Sequence, residues 1–146
     1  IPLRDGCVDL VVAGWSVSAI KAELEEWDRS TGLADESVWR EEVDRCILEM
    51  ERVLADGGHI YIFESQGTAS AEPRRRGSHL YEHLRTRGFE ESCIRTDYRF
   101  DRKDEALETL LFFFGRGVAM RAEKQLSSVE SKSECIIAEC TGVWKR

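Results

Sequence analysis

The sequence predicts an α/β fold, and three observations carry that prediction. Residues 8–13 and 59–64 are two short runs that are apolar at nearly every position, the pattern of parallel strands covered on both faces. Between them Trp39, Val43, Cys46, Ile47, Met50, Val53 and Leu54 recur at steps of three, four and one, making a single stripe on a helix. Strand, helix and strand in that order form a βαβ unit, whose crossover is almost always right-handed.

Composition sets the outer bounds. A chain of 146 residues is expected to be one domain, and its 42% hydrophobic and 34% charged content with two prolines is that of a globular chain. The formal charge of −7 argues against a nucleic acid partner, since binding there is driven by cations displacing counterions. Arg74, Arg75 and Arg76 beside Pro73 are the one local basic group; they read first as a solvated loop, and second as a clamp for an acidic substrate group. Five cysteines without C-x-x-C spacing predict reduced, mostly buried thiols. With no signal-like start and no apolar run near 18 residues, a place inside the cell is expected, in cytoplasm or nucleus, with no membrane partner. Ile1 in place of methionine leads us to expect a domain incomplete at its N-terminus.

The elements follow in order. Asp5-Gly6 is a turn pair that introduces the first strand. A short helix is expected around Ala22 to Trp27, before a loop containing Gly32. Asp35, Glu36 and Ser37 suit the start of the long helix, and Gly57-Gly58 its left-handed exit. A loop over residues 65–77 leads to a helix over 78–87, with Ser78 as N-cap and Phe89 folding back on Leu84 beyond Gly88. Ile94, Thr96, Tyr98 and Phe100 alternate with charged residues and predict one edge strand. Asp101 is expected to cap a helix through Phe114, with Phe112, Phe113 and Phe114 in the core; Gly115 and Gly117 break it before residues 118–126. A polar loop over 126–134 and a last strand over 135–144 complete the chain.

Ligands of open α/β sheets bind outside the carboxyl ends of parallel strands. Here those ends are Ala13-Gly14-Trp15-Ser16 and Glu64-Ser65-Gln66-Gly67-Thr68. Glycine lets a ligand approach the backbone, Trp15 offers an aromatic wall, and Ser16, Glu64, Ser65 and Thr68 offer hydrogen-bonding groups. The ordinary reading is two strand-end loops. His79 and His83 share a helix face but lack the glutamate of H-E-x-x-H and a third ligand, so no metal is expected.

The run Asp5-Gly6-Cys7-Val8-Asp9-Leu10-Val11-Val12-Ala13 resembles the D-G-x-F-D-L-V-x segment of class I S-adenosylmethionine-dependent methyltransferases (type 11-like). Met50-Glu51-Arg52-Val53-Leu54-Ala55-Asp56-Gly57-Gly58-His59-Ile60-Tyr61-Ile62 is similar to the family's E-x-x-R-V-L-x-P-G-G-x-x-x-I, with Asp56 in place of proline. The resemblance implies the C-terminal half of a Rossmann-like methyltransferase sheet over residues 1–146, strands four to seven with flanking helices and the last strand antiparallel. It also implies S-adenosylmethionine as cofactor, Leu3 near the adenine, Gly14, Trp15 and Ser16 near the methionine and the transferred methyl, and a small-molecule acceptor near Glu64, Ser65, Thr68 and Tyr81. The family's E/D-x-G-x-G-x-G loop and its ribose-binding acid have no counterpart in these residues, and Gly115-Arg116-Gly117 does not sit where that loop would.

Methyl transfer relies on proximity and alignment, so a general base is optional and Glu64 is the one weak candidate. The alternative is a methyltransferase-like fragment without catalysis that serves as a scaffold or interaction protein. A nicotinamide oxidoreductase fits poorly, because Tyr81 is followed by Arg85 where Tyr-x-x-x-Lys would need lysine. A first strand lacking a neighbour is also expected to leave an apolar edge through which the chain self-associates.

Overall fold

β1 (Val8–Gly14) and β2 (Leu54–Thr68) pair in parallel, joined by helices α1 (Val17–Thr31) and α2 (Glu36–Val53). This is the βαβ unit the periodicity predicts. The computed structural model describes residues 1–31, 36–74, 78–127 and 135–146, and the side chains of all these except 25–31 and 36. Among the described residues it is an α/β structure with five helices and a mixed four-stranded sheet of order β1-β2-β6-β3. The third strand, β3, is Glu90–Arg95 and the last, β6, is Glu139–Lys145. Ile60 and Arg146 exchange both backbone hydrogen bonds at 2.7 and 3.0 Å, the mark of antiparallel pairing between β2 and the chain's end.

The chain divides into two compact units, one of residues 1–64, 77–92 and 142–146, the other of residues 65–76 and 93–141. In the first, the stripe on α2 does what its spacing dictates: Trp39, Val43 and Ile47 are buried against Ala13, Ile60 and Ile62. Val17, Ile20 and Leu24 of α1 join them, with Leu80, Tyr81 and Leu84 of α3 (His79–Thr86). Alternation in β1 puts Val11 and Ala13 on this side and leaves Leu10 and Val12 more than half exposed on the other. β1 is therefore an edge strand with one open face, not a strand covered on both.

The turn from α2 into β2 is fixed by glycine. Gly57 adopts φ +79°, and a Cβ on Gly58 would stand 2.8 Å from the Leu54 side chain and 2.9 Å from the Asp9 carbonyl oxygen. The pairing register shifts here, between Val8 and Leu10. β2 is longer than its apolar run and continues to Thr68, into the expected loop. α1 is longer too, at 15 residues, because Val17 and Ile20 supply a buried stripe ahead of the expected helix. Asp35 and Gly32 lie outside the described residues, as do Arg75 and Arg76. α3 ends as expected: the Phe89 amide reaches the Leu84 carbonyl at 3.1 Å and Gly88 that of Arg85 at 3.0 Å, with Gly88 at φ +83°.

The second unit departs further from expectation. The alternating run 94–100 splits, its tail forming β4 (Tyr98–Phe100), which pairs antiparallel with β5 (Cys135–Ile137). The expected last strand likewise splits into β5 and β6. Asp97 marks the break: its carboxylate takes two bonds from Arg95 and one from the Glu139 amide, so this stretch answers to a side chain rather than to a ladder. α4 (Lys103–Phe114) and α5 (Arg116–Ser127) meet at Gly115, φ +78°, and Leu110, Ala122 and Ile137 form their core. Arg102, not Asp101, occupies the N-cap of α4. Phe112, Phe113 and Phe114 are not core: they are exposed by 82%, 68% and 41%, since the buried side of α4 is carried by Ala106 and Leu110. Residues 128–134 of the expected loop lie outside the described residues. Cys93 and Cys140 are joined in a disulfide with their Cα atoms 6.5 Å apart, which overturns the reading of all five cysteines as thiols; Cys7, Cys46 and Cys135 are free.

Candidate functional site

The parallel register sets Gly14 beside Phe63, so the carboxyl ends of β1 and β2 lie side by side in the first unit. Trp15 follows in the left-handed region at φ +49°, a conformation that bulky side chains rarely adopt. Its amide donates to the Phe63 carbonyl at 2.7 Å, and its ring stacks on Phe63 with centroids 6.5 Å apart. Phe63 stacks on Tyr61 in turn, and the Lys145 ammonium sits 5.9 Å from the Tyr61 ring. Trp15 remains 55% exposed. Among the described residues nothing lies within 4 Å of a Cβ built on Gly14, so none of them demands glycine there by packing. Ser16 is exposed, and its carbonyl accepts the first turn of α1 from Ile20. Gly14, Trp15 and Ser16 thus form one open corner.

Glu64, the candidate acid or base, is spoken for. Its carboxylate is buried and accepts the Ser18 amide at 2.9 Å and the Ser18 hydroxyl at 2.6 Å. Ser18 is the second residue of α1, so Glu64 caps that helix from a neighbouring strand and places negative charge at the positive end of its dipole. Tyr81, expected near a substrate, is buried with its ring 4.5 Å from that of Trp144. Leu3 is half exposed, and its carbonyl accepts from Arg52 at 2.9 Å. His83 pairs with Asp44 at 2.8 Å and meets the Trp39 ring edge-on, while His79 is exposed. Among the described residues no three histidine, cysteine or acidic side chains are grouped as metal ligands would be.

Ser65 and Thr68, in the second unit, belong to a buried polar cluster. The Ser65 hydroxyl donates to the Glu139 carboxylate at 2.6 Å and stands 3.3 Å from the Thr68 hydroxyl. Glu139 is 1% exposed, and its second oxygen has no hydrogen-bond partner among the described residues. Burial, with the Glu139 charge behind it, pushes the Tyr98 phenol above its ordinary value. Ser18 in the first unit and Glu139 in the second are residues that sequence reasoning missed. Neither stands in a motif, and nothing local marks a carboxylate that will be bonded by a residue 74 positions away.

Among the described residues no helix is long and apolar enough to cross a membrane. No protein-family model matches the chain, and no curated protein matches it.

Proposed function

We propose that this chain is the acceptor-side portion of a methyltransferase that uses S-adenosylmethionine and a small-molecule acceptor, the reading its two sequence motifs carry. The observation that supports it most is the corner at Trp15. A tryptophan held left-handed and half exposed at adjoining carboxyl ends costs backbone energy without completing a core, the situation in which strain serves a ligand. The antiparallel last strand agrees with the same reading.

The residues fit one end of the cofactor. An exposed indole face attracts a cation such as a sulfonium, and open space before Gly14 admits a close approach to backbone. Donors for a ribose and an amino-acid carboxylate have no counterpart in the sequence motifs. When bound, the cofactor supplies an electrophilic methyl group. What this chain's residues add is orientation: Trp15 holds the cationic end, Gly14 leaves it room, and Ser16 offers a hydroxyl. Glu64 keeps α1 in register rather than taking the acceptor's proton, since both its oxygens are engaged by Ser18.

Calorimetry with S-adenosylmethionine tests this. Binding at micromolar Kd, weakened about fivefold (roughly 1 kcal/mol) in Trp15→Leu, is the expected result. A folded chain that binds no S-adenosylmethionine sinks it. The reading that then stands is a non-catalytic interaction protein, favoured by the open face of Leu10, Val12, Tyr61 and Phe63.

A further inference from the structure

The second unit contains a cavity of about 440 Å³ that the methyl-transfer reading does not use. It lies where the chain turns back after β2 and where α4 meets α5, and its lining includes Gly67, Thr68, Arg74, Phe113, Phe114 and Arg121. Its size falls within the range of small-molecule sites. Among the described residues no carboxylate lines it, although the chain carries 28 acidic residues against 21 basic ones.

Local geometry explains why both arginines face it. A side chain at Gly67 would be crowded: a Cβ there would lie 3.1 Å from the Glu72 carbonyl oxygen and 3.4 Å from Arg74 Cγ. That close return is fixed by the Arg74 amide bonding the Gln66 carbonyl at 2.8 Å, which carries the Arg74 side chain to the cavity. Arg121 comes from α5, its Nη1 held by the Gly117 carbonyl at 3.0 Å and its Nη2 by the Thr68 carbonyl at 3.3 Å. Its Nε is enclosed and has no acceptor among the described residues. Two carbonyls leave the guanidinium with spare donors and a full charge, and among the described residues neither Arg74 nor Arg121 makes an ion pair. Arginine left without a counter-charge beside a concavity is the usual arrangement for a carboxylate or phosphate.

The other wall is apolar. Phe113 and Phe114 stay exposed at the end of α4, where the helix breaks at Gly115, and Val118 continues their surface. A free inorganic anion has no use for two phenyl rings, and a neutral aromatic none for two guanidinium groups.

We propose that this cavity binds a small organic anion, a carboxylate or phosphate monoester carried on an aromatic or apolar body, with Arg74 and Arg121 on the anionic head and Phe113 and Phe114 on the body. The site lies wholly within one unit, and it stands whether or not the chain transfers methyl groups.

Calorimetry of the full chain with phenylacetate, phenyl phosphate, neutral phenethyl alcohol and inorganic phosphate tests it. At least one aromatic anion should bind with Kd below about 1 mM, the tighter of the two naming the head group, and the alcohol should bind about tenfold more weakly or not at all. Arg74→Gln should weaken the anion about fivefold while leaving the urea midpoint unchanged, because Arg74 is exposed; Arg121→Gln should weaken it too, with some loss of stability. Phe113→Ala should weaken the aromatic anions. Alcohol binding as well as the anions, inorganic phosphate binding as well as phenyl phosphate, indifference to Arg74→Gln, or no binding at about 10 mM would each overturn it.

Discussion

The Glu64 carboxylate closes on Ser18, taking its amide at 2.9 Å and its hydroxyl at 2.6 Å, and this pair ties the end of β2 to the start of α1. A buried carboxylate with two charge-assisted bonds makes a structural prediction. Glu64→Ala strands the Ser18 donors in an enclosed place and should cost about 2 kcal/mol in urea unfolding, whereas Ser18→Ala, which keeps the amide bond, should cost about 1 kcal/mol. Equal stability of Glu64→Ala and wild type would return Glu64 to the list of free catalytic groups.

Trp15 predicts the opposite balance. Replacing it with glycine relieves a left-handed backbone worth about 1–2 kcal/mol and gives up a half-exposed ring contact of similar size. Trp15→Gly should therefore unfold within about 1 kcal/mol of wild type. A loss of about 3 kcal/mol would make Trp15 a core residue and remove the main support for a ligand at that corner.

Two glycines separate packing from access. Gly58→Ala drives a methyl into the Leu54 side chain and the Asp9 carbonyl and should destabilise by about 2 kcal/mol or more. Gly14→Ala meets nothing and should leave thermal unfolding unchanged. If Gly14 is there for a ligand, the same change weakens S-adenosylmethionine binding, which calorimetry reads separately from stability.

These contrasts show what was legible in advance. Trp39, Val43 and Ile47 announce α2 because one helical face must be apolar to be buried, and Phe89 announces the end of α3 because it has a partner five residues back. Such signals are local. The division of residues 94–100 was not legible, since Tyr98 and Phe100 continue the alternation of Ile94; what interrupts it is Asp97 receiving an amide from Glu139, 42 residues later. Phe112 to Phe114 misled for a related reason. An apolar run says that burial is favourable, not that a surface is there to bury it. Cys93 and Cys140, 47 residues apart, meet only because β3 and β6 are neighbours. At the corner of the first unit Gly14 and Trp15 were visible while Ser18 required the fold, and in the second unit Glu139 and Arg121 required it.

The segment before β1 carries a pH-dependent tie. The Arg52 guanidinium holds the Glu49 carboxyl well below its ordinary 4.5, and Arg52 also bonds Asp5 and the carbonyls of Ile1 and Leu3. A carboxylate whose pKa is lowered by folding contributes stability that is complete above pH 4.5 and is lost as pH falls below it through the lowered value. Arg52→Gln should move the Glu49 titration, followed by carboxyl NMR shifts, up towards its ordinary value and flatten stability against pH across that window. A Glu49 titration unchanged by Arg52→Gln would assign the shift to another cause.

Among the described residues β1 has one partner in the sheet, β2, and its opposite edge presents unpaired amides and carbonyls along residues 8–14. Natural edge strands are blunted by lysine, proline or a bulge; here the register shift between Val8 and Leu10 and the Asp9 charge lie at the strand's start, and beyond them Leu10 and Val12 stand 54% and 57% exposed. A second copy meeting this edge antiparallel would satisfy the backbone groups of both chains and continue the apolar face across the junction. The chain should therefore associate with rising concentration in light scattering. Val12→Lys should suppress that association without altering the unfolding midpoint, because the side chain lies outside the core and its replacement adds charge at the edge. A monomer at about 1 mM, where even a contact worth about 4 kcal/mol is substantially populated, would show that β1 is protected by some other means.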